Sequence, residues 1–468
     1  MPLFRKLLGV PKAASVGKKK LSAAGVSLFV IQSTYDAARD WQVYGTCHDS
    51  VGNTFSAWST SGILVVTKHD KTGVLQSQVS LTIGFSGNDS FCMKVAPDGS
   101  LYIAGRASST GGPALLKLTS ALAVSFFNTY NPANPYTISY GYFDGMDIDS
   151  SGNVYCVGYG AWTVGQNSQS HGWIYKFDSS GVTQWIREYN MGISHGYHSC
   201  GIGSDGYLYV CGETAEYSSG AYKYYLELAK ISLSGTLTTH AKFLGPEYYI
   251  YCNPEYGGVY GRQLMFDATG TDFYVFGQQR PSGVDQILIA SFNSSLNLVA
   301  GYSRSKSGGY NSGYSRGQNG LVTPTGDLYV SASFEFNNNN YSSAQIIAPN
   351  GLLRPMLNSA STLKNTYFNG MAYNPGNATS YTYGSIKNTT GDTRFRGVIF
   401  NFVSAATIPS TEIDSSQITL SVDSMGSVGT SMTKTVLTGY TSSITSTTTA
   451  GTYSSASTYP TLTTTIYS

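Results

Sequence analysis

Three side chains could do polar chemistry from matching positions. Asp144, His198 and Arg262 each stand eight residues before a recurring glycine. A repeat in that register would bring an acid, an imidazole and a cation together in three consecutive units, a set able to hold a polar ligand or move a proton. The bland reading stays open beside it, because polar residues at a wet channel mouth need no function. The same offset selects Tyr44, Phe91, Gln318 and Phe368 in the other units. A second set is suited to contact rather than catalysis. The segment GPEYYIYCNPEYGGVYG (245–261) carries Tyr248, Tyr249, Tyr251, Tyr256 and Tyr260. Tyrosine offers a broad apolar face and a polar tip at low entropic cost, which suits stacking on a sugar or packing on a protein. These tyrosines could equally fill the space between two units. A weaker candidate surrounds Glu335 and Asn337 to Tyr341.

A third set lies at the start of the sequence. Arg5, Lys6, Lys12, Lys18, Lys19 and Lys20 fall within the first twenty residues, which contain no acid, although the whole chain is only +2. The body is therefore slightly acidic and is not a nucleic-acid platform; contact with nucleic acid or anionic lipid is expected only through this arm. Leu3, Phe4, Leu7 and Leu8 give the arm one short amphipathic turn. A tail without fixed structure, a docking peptide and a weak membrane contact all fit it. The apolar run Leu7–Val10 is too short for a secretion signal, and no stretch of 18 apolar residues predicts a membrane span.

Several chemistries lack their signatures. No P-loop, G-x-S-x-G, H-E-x-x-H or EF-hand motif occurs, and no repeated acidic pair of the kind glycoside hydrolysis needs. The six cysteines form no C-x-x-C pair, so they read as buried thiols; a bridge between Cys200 and Cys211 is open but not required. No cofactor and no metal are expected.

The elements that position these groups follow from composition and repetition. Only 12% of residues are charged, where about 25% is usual, while 41% are hydrophobic, with 53 glycines and 37 tyrosines. Strong helix formers are scarce, so an all-β fold with many turns is expected. VAPDGSLYIAG (95–105), IDSSGNVYCVG (148–158) and IGSDGYLYVCG (202–212) are copies of one hairpin. The turn glycines are Gly52, Gly99, Gly152, Gly206, Gly270, Gly326 and Gly376. Alternating small or apolar residues precede each turn, an aromatic follows it, and in five units a glycine comes three residues later. Segments such as WIYKFDSSGVTQWI (173–186) supply a second hairpin. Four strands per unit cannot bury both faces alone, so units must stack, and seven around an axis make a β-propeller. A β-sandwich is the alternative, but it leaves the fixed turn signature unexplained.

Residues 149–158 (DSSGNVYCVG) and 174–181 (IYKFDSSG) resemble the bacterial SBBP-type β-propeller repeat. The resemblance spans roughly 40–400 and implies a propeller with no shared catalytic residues. In overall style the chain also resembles a tailed-bacteriophage virion protein, with its basic arm, its Tyr/Gly/Ser/Thr/Asn-rich β body and its Ser/Thr-rich end.

The expected organisation is an arm over 1–25, a seven-bladed propeller of four-stranded antiparallel blades over 26–405, and a Ser/Thr-rich β extension over 406–468. The strand Val26–Ile31 is expected to close the ring by pairing with the last blade. Strands are expected at Ile418–Val422 and Thr433–Leu437, and Thr461–Tyr467 would be an adhesive edge if unpaired. The extension is expected to pair with the body or with another subunit; a stalk is the other option. The function expected is a non-enzymatic virion component, associated with a tail or fibre. It would dock on other virion proteins, face a partner or host-surface glycan, and could self-associate. A carbohydrate-binding propeller outside a virion and a glycan hydrolase or lyase are the alternatives.

Overall fold

The structure is a computed structural model. It describes most of residues 28–467; residues 1–27, 34–40, 252–263, 305–314, 349–355, 388–394, 403–417 and 422–432 are the longer stretches outside the described residues. Every described regular element is a β-strand, and none is a helix long and apolar enough to cross a membrane.

The strands pair into antiparallel meanders that follow the repeat. Blade 1 is Gln42–His48, Thr54–Thr60, Ile63–His69 and Leu75–Ile83. Blades 2, 3 and 4 occupy 92–133, 138–189 and 194–244; blades 5 and 6 occupy 250–304 and 315–359. Blade 7 takes three strands from Thr366–Phe402, and its fourth is Leu28–Ser33, with Val30 opposite Phe400 and Ile31 opposite Ile399. The early strand thus closes the ring. Consecutive blades pack on one another and blade 7 packs on blade 1. Their apolar faces interleave: Phe55, Leu64 and Val66 of blade 1 with Leu101, Ile103 and Leu116 of blade 2, and Leu228 and Phe243 of blade 4 with Phe273 and Phe292 of blade 5.

The recurring turn has a specific chemistry. Asp149 Oδ1 accepts from Ser151 N (3.0 Å) and Asn153 N (2.9 Å), and Gly152 takes φ 81°, which costs glycine little. The aromatic after the turn clasps the next blade. Tyr102 Oη donates to Ser179 O (3.0 Å) and Tyr209 Oη to Ser294 O (3.3 Å), each in the outer hairpin turn of the following blade. Lys117 and Lys230 donate to the same two carbonyls from the third strand, with their ammonium groups 5.1 Å from the tyrosine ring centres. Tyr209 also donates to Asp205 Oδ2 at 2.6 Å. Tyr155 and Lys176, the lysine of IYKFDSSG (174–181), make the same pair on Leu233 O of blade 4, at 3.4 and 3.2 Å. Blade 1 carries Phe55 at this position, fully buried, so the ring alone packs well. Tyr209→Phe is therefore expected to keep the fold and lose about 1–2 kcal/mol, the worth of a hydrogen bond to a carboxylate, read by urea unfolding.

The glycine three residues after the tyrosine answers a close backbone approach. A Cβ on Gly158 would lie 1.9 Å from Tyr142 O, and one on Gly212 would lie 2.0 Å from Gly196 O. Each sits opposite a β-bulge in the innermost strand, where the register slips between Phe143 and Gly145 and between Tyr197 and Ser199.

His69, at the end of a blade 1 strand, is fully buried and neither ring nitrogen has a hydrogen-bond partner among the described residues. Burial pushes its pKa down to about 4, against the smaller opposing pull of Asp70. The unfolded chain, near 6.5, takes the proton first. Stability is thus present above pH 6.5 and falls as the pH drops from there to about 4, by at most about 1.4 kcal/mol per pH unit. His48, pushed down to about 3 by burial, adds a similar slope. His69→Leu is expected to flatten the acid limb in part and to add about 1 kcal/mol at pH 7.5, since an unpaired buried polar group is removed. Urea unfolding at pH 7.5 and pH 5 measures both.

The Ser/Thr-rich extension pairs with the body of its own chain. Among the described residues it runs round the rim against the direction of the blades and adds a fifth strand to six of them. Ile418–Ser421 lies on blade 6, Thr433–Val436 on blade 4 and Thr441–Ser443 on blade 3. Thr445–Ala450 lies on blade 2 and Tyr453–Ser455 on blade 1. Leu462–Tyr467 then pairs with Leu28–Ser33, so the closing strand of blade 7 is held from both sides. An outer strand otherwise presents unpaired N–H and C=O groups, and this belt covers them. Five cysteines, including Cys200 and Cys211 on paired strands, are free thiols, so the bridge left open by the sequence does not form; Cys252 lies outside the described residues.

Candidate functional site

The bulges place the polar residues. In blades 1, 3 and 4 the register of the innermost strand shifts at Tyr44, Asp144 and His198, the positions selected by the eight-residue offset. In blades 6 and 7 the slip falls one residue away, at Gly317 and Asn369, so Gln318 and Phe368 stay paired. A bulge re-aims its side chain, and here two re-aimed groups meet across adjacent blades. His198 Nδ1 lies 2.9 Å from Asp144 Oδ2, and His198 Nε2 lies 4.0 Å from Glu213 Oε1. The imidazole is thus flanked by two carboxylates. Tyr159 packs against it edge-on, 5.6 Å between ring centres, and the Cys92 thiol donates to the Asp144 carbonyl. His198 and Glu213 are buried, while the Asp144 side chain keeps 16% of its surface.

Arg262, the third member expected, lies outside the described residues. So do Tyr248, Tyr249, Tyr256 and Tyr260, and all six cations of the arm. Tyr251 falls on the short strand Ile250–Tyr251, opposite Gln278. The innermost edge of blade 5 is split: Ile250–Tyr251 and Leu264–Phe266 both pair with Phe273–Gln279, and residues 252–263 stand between them. Described strands thus stand on both sides of residues 252–263, which include Tyr256 and Tyr260.

A second polar group lies within blade 4. Glu227 Oε1 accepts from Tyr197 Oη (2.9 Å) and sits 3.1 Å from His195 Nε2 and 2.5 Å from His240 Nε2. Gly172 N of blade 3 donates to His195 Nδ1 (3.0 Å), which puts the His195 proton on Nε2, facing the carboxylate. Glu227 is completely buried. Burial pushes its carboxyl up, but His195 and His240 outweigh that and hold it well below the usual carboxylate range. The strand between donor and acceptor carries Gly212, which pairs with Tyr197 on one side and Glu227 on the other and leaves room for them to meet. Nearby, His171 Nδ1 bonds Glu188 Oε1 on the outer strand of blade 3, opposite Ser442 of the belt.

Sequence reasoning found Asp144 and His198 and missed Glu213, Glu227, His195, His240, His171 and Glu188. One signal was available: these glutamates stand inside strands, whereas the aspartates mostly begin turns. The arrangement can hold charge and share protons between acids and imidazoles across blades 3 and 4. Among the described residues no group of three or more His, Cys, Asp or Glu could hold a metal ion.

No protein-family model matches the chain, and no curated protein matches it. Among solved structures it is similar to a protein of unknown function from Dyadobacter fermentans DSM 18053, with 11% identity, a TM-score of 0.44, and 80% of this chain and 98% of that chain covered. It is also similar to the Dos1 propeller, with 10% identity, a TM-score of 0.38, and 76% and 77% covered. A third is the Trypanosoma rangeli sialidase in complex with the inhibitor DANA, with 6% identity, a TM-score of 0.38, and 72% and 57% covered. The fold stands on the strand pairing above: the chain is a β-propeller.

Proposed function

We propose that the chain is a non-enzymatic structural and recognition component of a virion, associated with a tail or fibre. It holds neighbouring virion proteins at one end of the ring and presents the other end to a host-surface glycan or protein partner. The observation that carries this reading is the difference between the two ends. One end is made of tight Asp-Gly turns, and Leu28, which follows the basic arm, lies there beside Tyr467. At the opposite end the blade 4 hairpin of Tyr207–Ser218 and Ala221–Ser232 runs on, with Tyr217 opposite Tyr222 and Tyr224 opposite Ala215. Loops on a rigid scaffold can vary without disturbing the stacked sheets, which suits recognition. The belt supports the same reading, because a ring held at its outer edges suits an assembly exposed outside cells. Asp144 and Glu213 face His198, and Glu227 faces His195 and His240, so these acids serve the packing of blades 3 and 4.

The test is binding of the purified full chain to bacterial surface glycans: lipopolysaccharide O-chains, capsular polysaccharide and teichoic acid. Reversible binding with unchanged glycan length is expected, with at least tenfold weaker binding after Tyr249→Ala or Tyr251→Ala. Shortening of a glycan, abolished by Asp144→Asn or His198→Gln, would replace this reading with a glycan hydrolase or lyase.

A further inference from the structure

Blade 3 carries a strip of half-buried side chains on its innermost strand, Ile138–Ile148. Gly141 and Phe143 are buried, while the alternating Tyr140, Tyr142 and Asp144 keep part of their surface. In blade 4 the matching residues 195–198 are all buried. The strip lies in the half of the strand away from the Asp149 turn and is roughly 13 Å long. Packing against blade 2 calls for the buried Phe143 and Trp173. It does not call for two further rings left half-buried beside a carboxylate.

The rings are held in place from three blades. The Arg106 guanidinium of blade 2 lies 5.8 Å from the Tyr140 ring centre and 5.4 Å from that of Tyr142, and the two ring centres are 5.5 Å apart. Gly141 N, between the tyrosines, donates to Gly111 O of blade 2 at 2.6 Å. Tyr142 and Tyr159 pack edge-on at 5.0 Å, and Tyr159 lies over Gly196 of blade 4, where a Cβ would come within 3.2 Å of its ring. Tyr159 also touches His198, whose partner Asp144 ends the strip and keeps 16% of its side-chain surface. An ordered aromatic surface therefore runs up to a carboxylate re-aimed by a bulge.

An apolar surface beside a hydrogen-bond acceptor matches a sugar ring, which offers C–H groups on one face and hydroxyl donors at its edge. Rings already fixed lower the ordering cost of binding. Charge narrows the choice. Asp144 and Glu213 both flank His198, against the one guanidinium on the strip, so an anionic sugar would meet like charge.

We propose that Tyr140, Tyr142 and Asp144 bind a neutral hexopyranose unit, its C–H face on the two rings and its hydroxyls donating to Asp144. The proposal names a subsite and a sugar class within the glycan-recognition reading above, and rests on it for the glycan.

Saturation-transfer NMR on the full chain tests it, with the methyl glycosides of glucose, galactose and mannose as probes and methyl glucuronide as the anionic comparison. Irradiating the aromatic protons should transfer magnetisation to the ring C–H protons of at least one neutral hexoside, and less to the glucuronide. The transfer should fall by roughly fivefold or more in Tyr142→Ala and in Asp144→Asn. Asp144→Asn keeps the size of the side chain, and urea unfolding of both variants separates lost binding from lost fold. No transfer to any of the three hexosides, or transfer unchanged in folded Asp144→Asn and Tyr142→Ala, would overturn the proposal; stronger transfer to the glucuronide would overturn its choice of a neutral sugar. Transfer lost in Tyr251→Ala and kept in Tyr142→Ala would overturn the strip and leave the glycan reading standing. Hexoside binding at the strip by a chain that is absent from virus particles would support the strip and remove the virion.

Discussion

Truncating the chain before residue 406 is expected to turn a discrete soluble species into aggregates and to lower the unfolding midpoint by about 5–10 °C. Without the belt six blades expose an outer strand, and such edges recruit one another. Hydrogen bonding alone does not hold the belt, since each backbone bond nets about 1 kcal/mol and ordering each residue costs about as much or more. The covered edges and the fastened ring closure are therefore the larger part of its role. The effect has an order. A stop after residue 455 removes Leu462–Tyr467 alone and uncovers Leu28–Ser33, the strand that closes the ring. Earlier stops then open blades 1, 2, 3, 4 and 6 in turn. Light scattering at matched concentration should rise with each step, and the melting temperature should fall most at the first. Equal melting temperatures and scattering across the series would show that the belt is dispensable.

The second large effect is expected at Glu227. Glu227→Ala leaves Tyr197 Oη and the Nε2 atoms of His195 and His240 facing a hole where one carboxylate oxygen had held all three. Removing one partner from a buried charged group costs about 3–5 kcal/mol, well above an ordinary surface change. Glu227→Gln retains an acceptor oxygen and should cost less, while its amide still needs a partner of its own. The wild-type group also sets a pH dependence. Its folded pKa lies well below the unfolded value near 4.3, so its contribution is complete above that value and fades as the pH falls below it. Glu227→Ala should therefore lose stability at pH 7 and show a weaker further loss below pH 4. Urea unfolding at pH 7 and pH 3.5 checks the cost and the sign together.

The legible part of the fold was the part that repeats. Asp149, Gly152 and Tyr155 announce a turn and a returning strand because each acts within a few residues of the others. Lys176 was legible as the lysine of IYKFDSSG, whereas Lys117 and Lys230 are followed by Leu-Thr and Ile-Ser; the reach of all three to the next blade appears once the blades are stacked. The sequence of the belt showed single strands, such as Thr433–Leu437, found at Thr433–Val436, but not their partners. Its Ser/Thr runs lack apolar alternation, and the edges they meet lie 59 (Ser359↔Ile418) to 439 (Leu28↔Tyr467) residues away. The site was half legible for a related reason. Asp144 and His198 share a register with the turn glycine, so the repeat pointed to both. Glu227 follows no repeat position, and its burial depends on Tyr197 and His195 from one strand, His240 from another and the gap left by Gly212.

The most direct test of the functional account is density-gradient sedimentation of virus particles from a culture producing this protein, with the chain quantified in every fraction. The account predicts that it bands with intact particles at a fixed ratio, and that a full-length variant with Lys18, Lys19 and Lys20 changed to Glu, still folded, stays at the top of the gradient. Wild-type chain found only at the top, free of particles, would contradict a structural role in a virion.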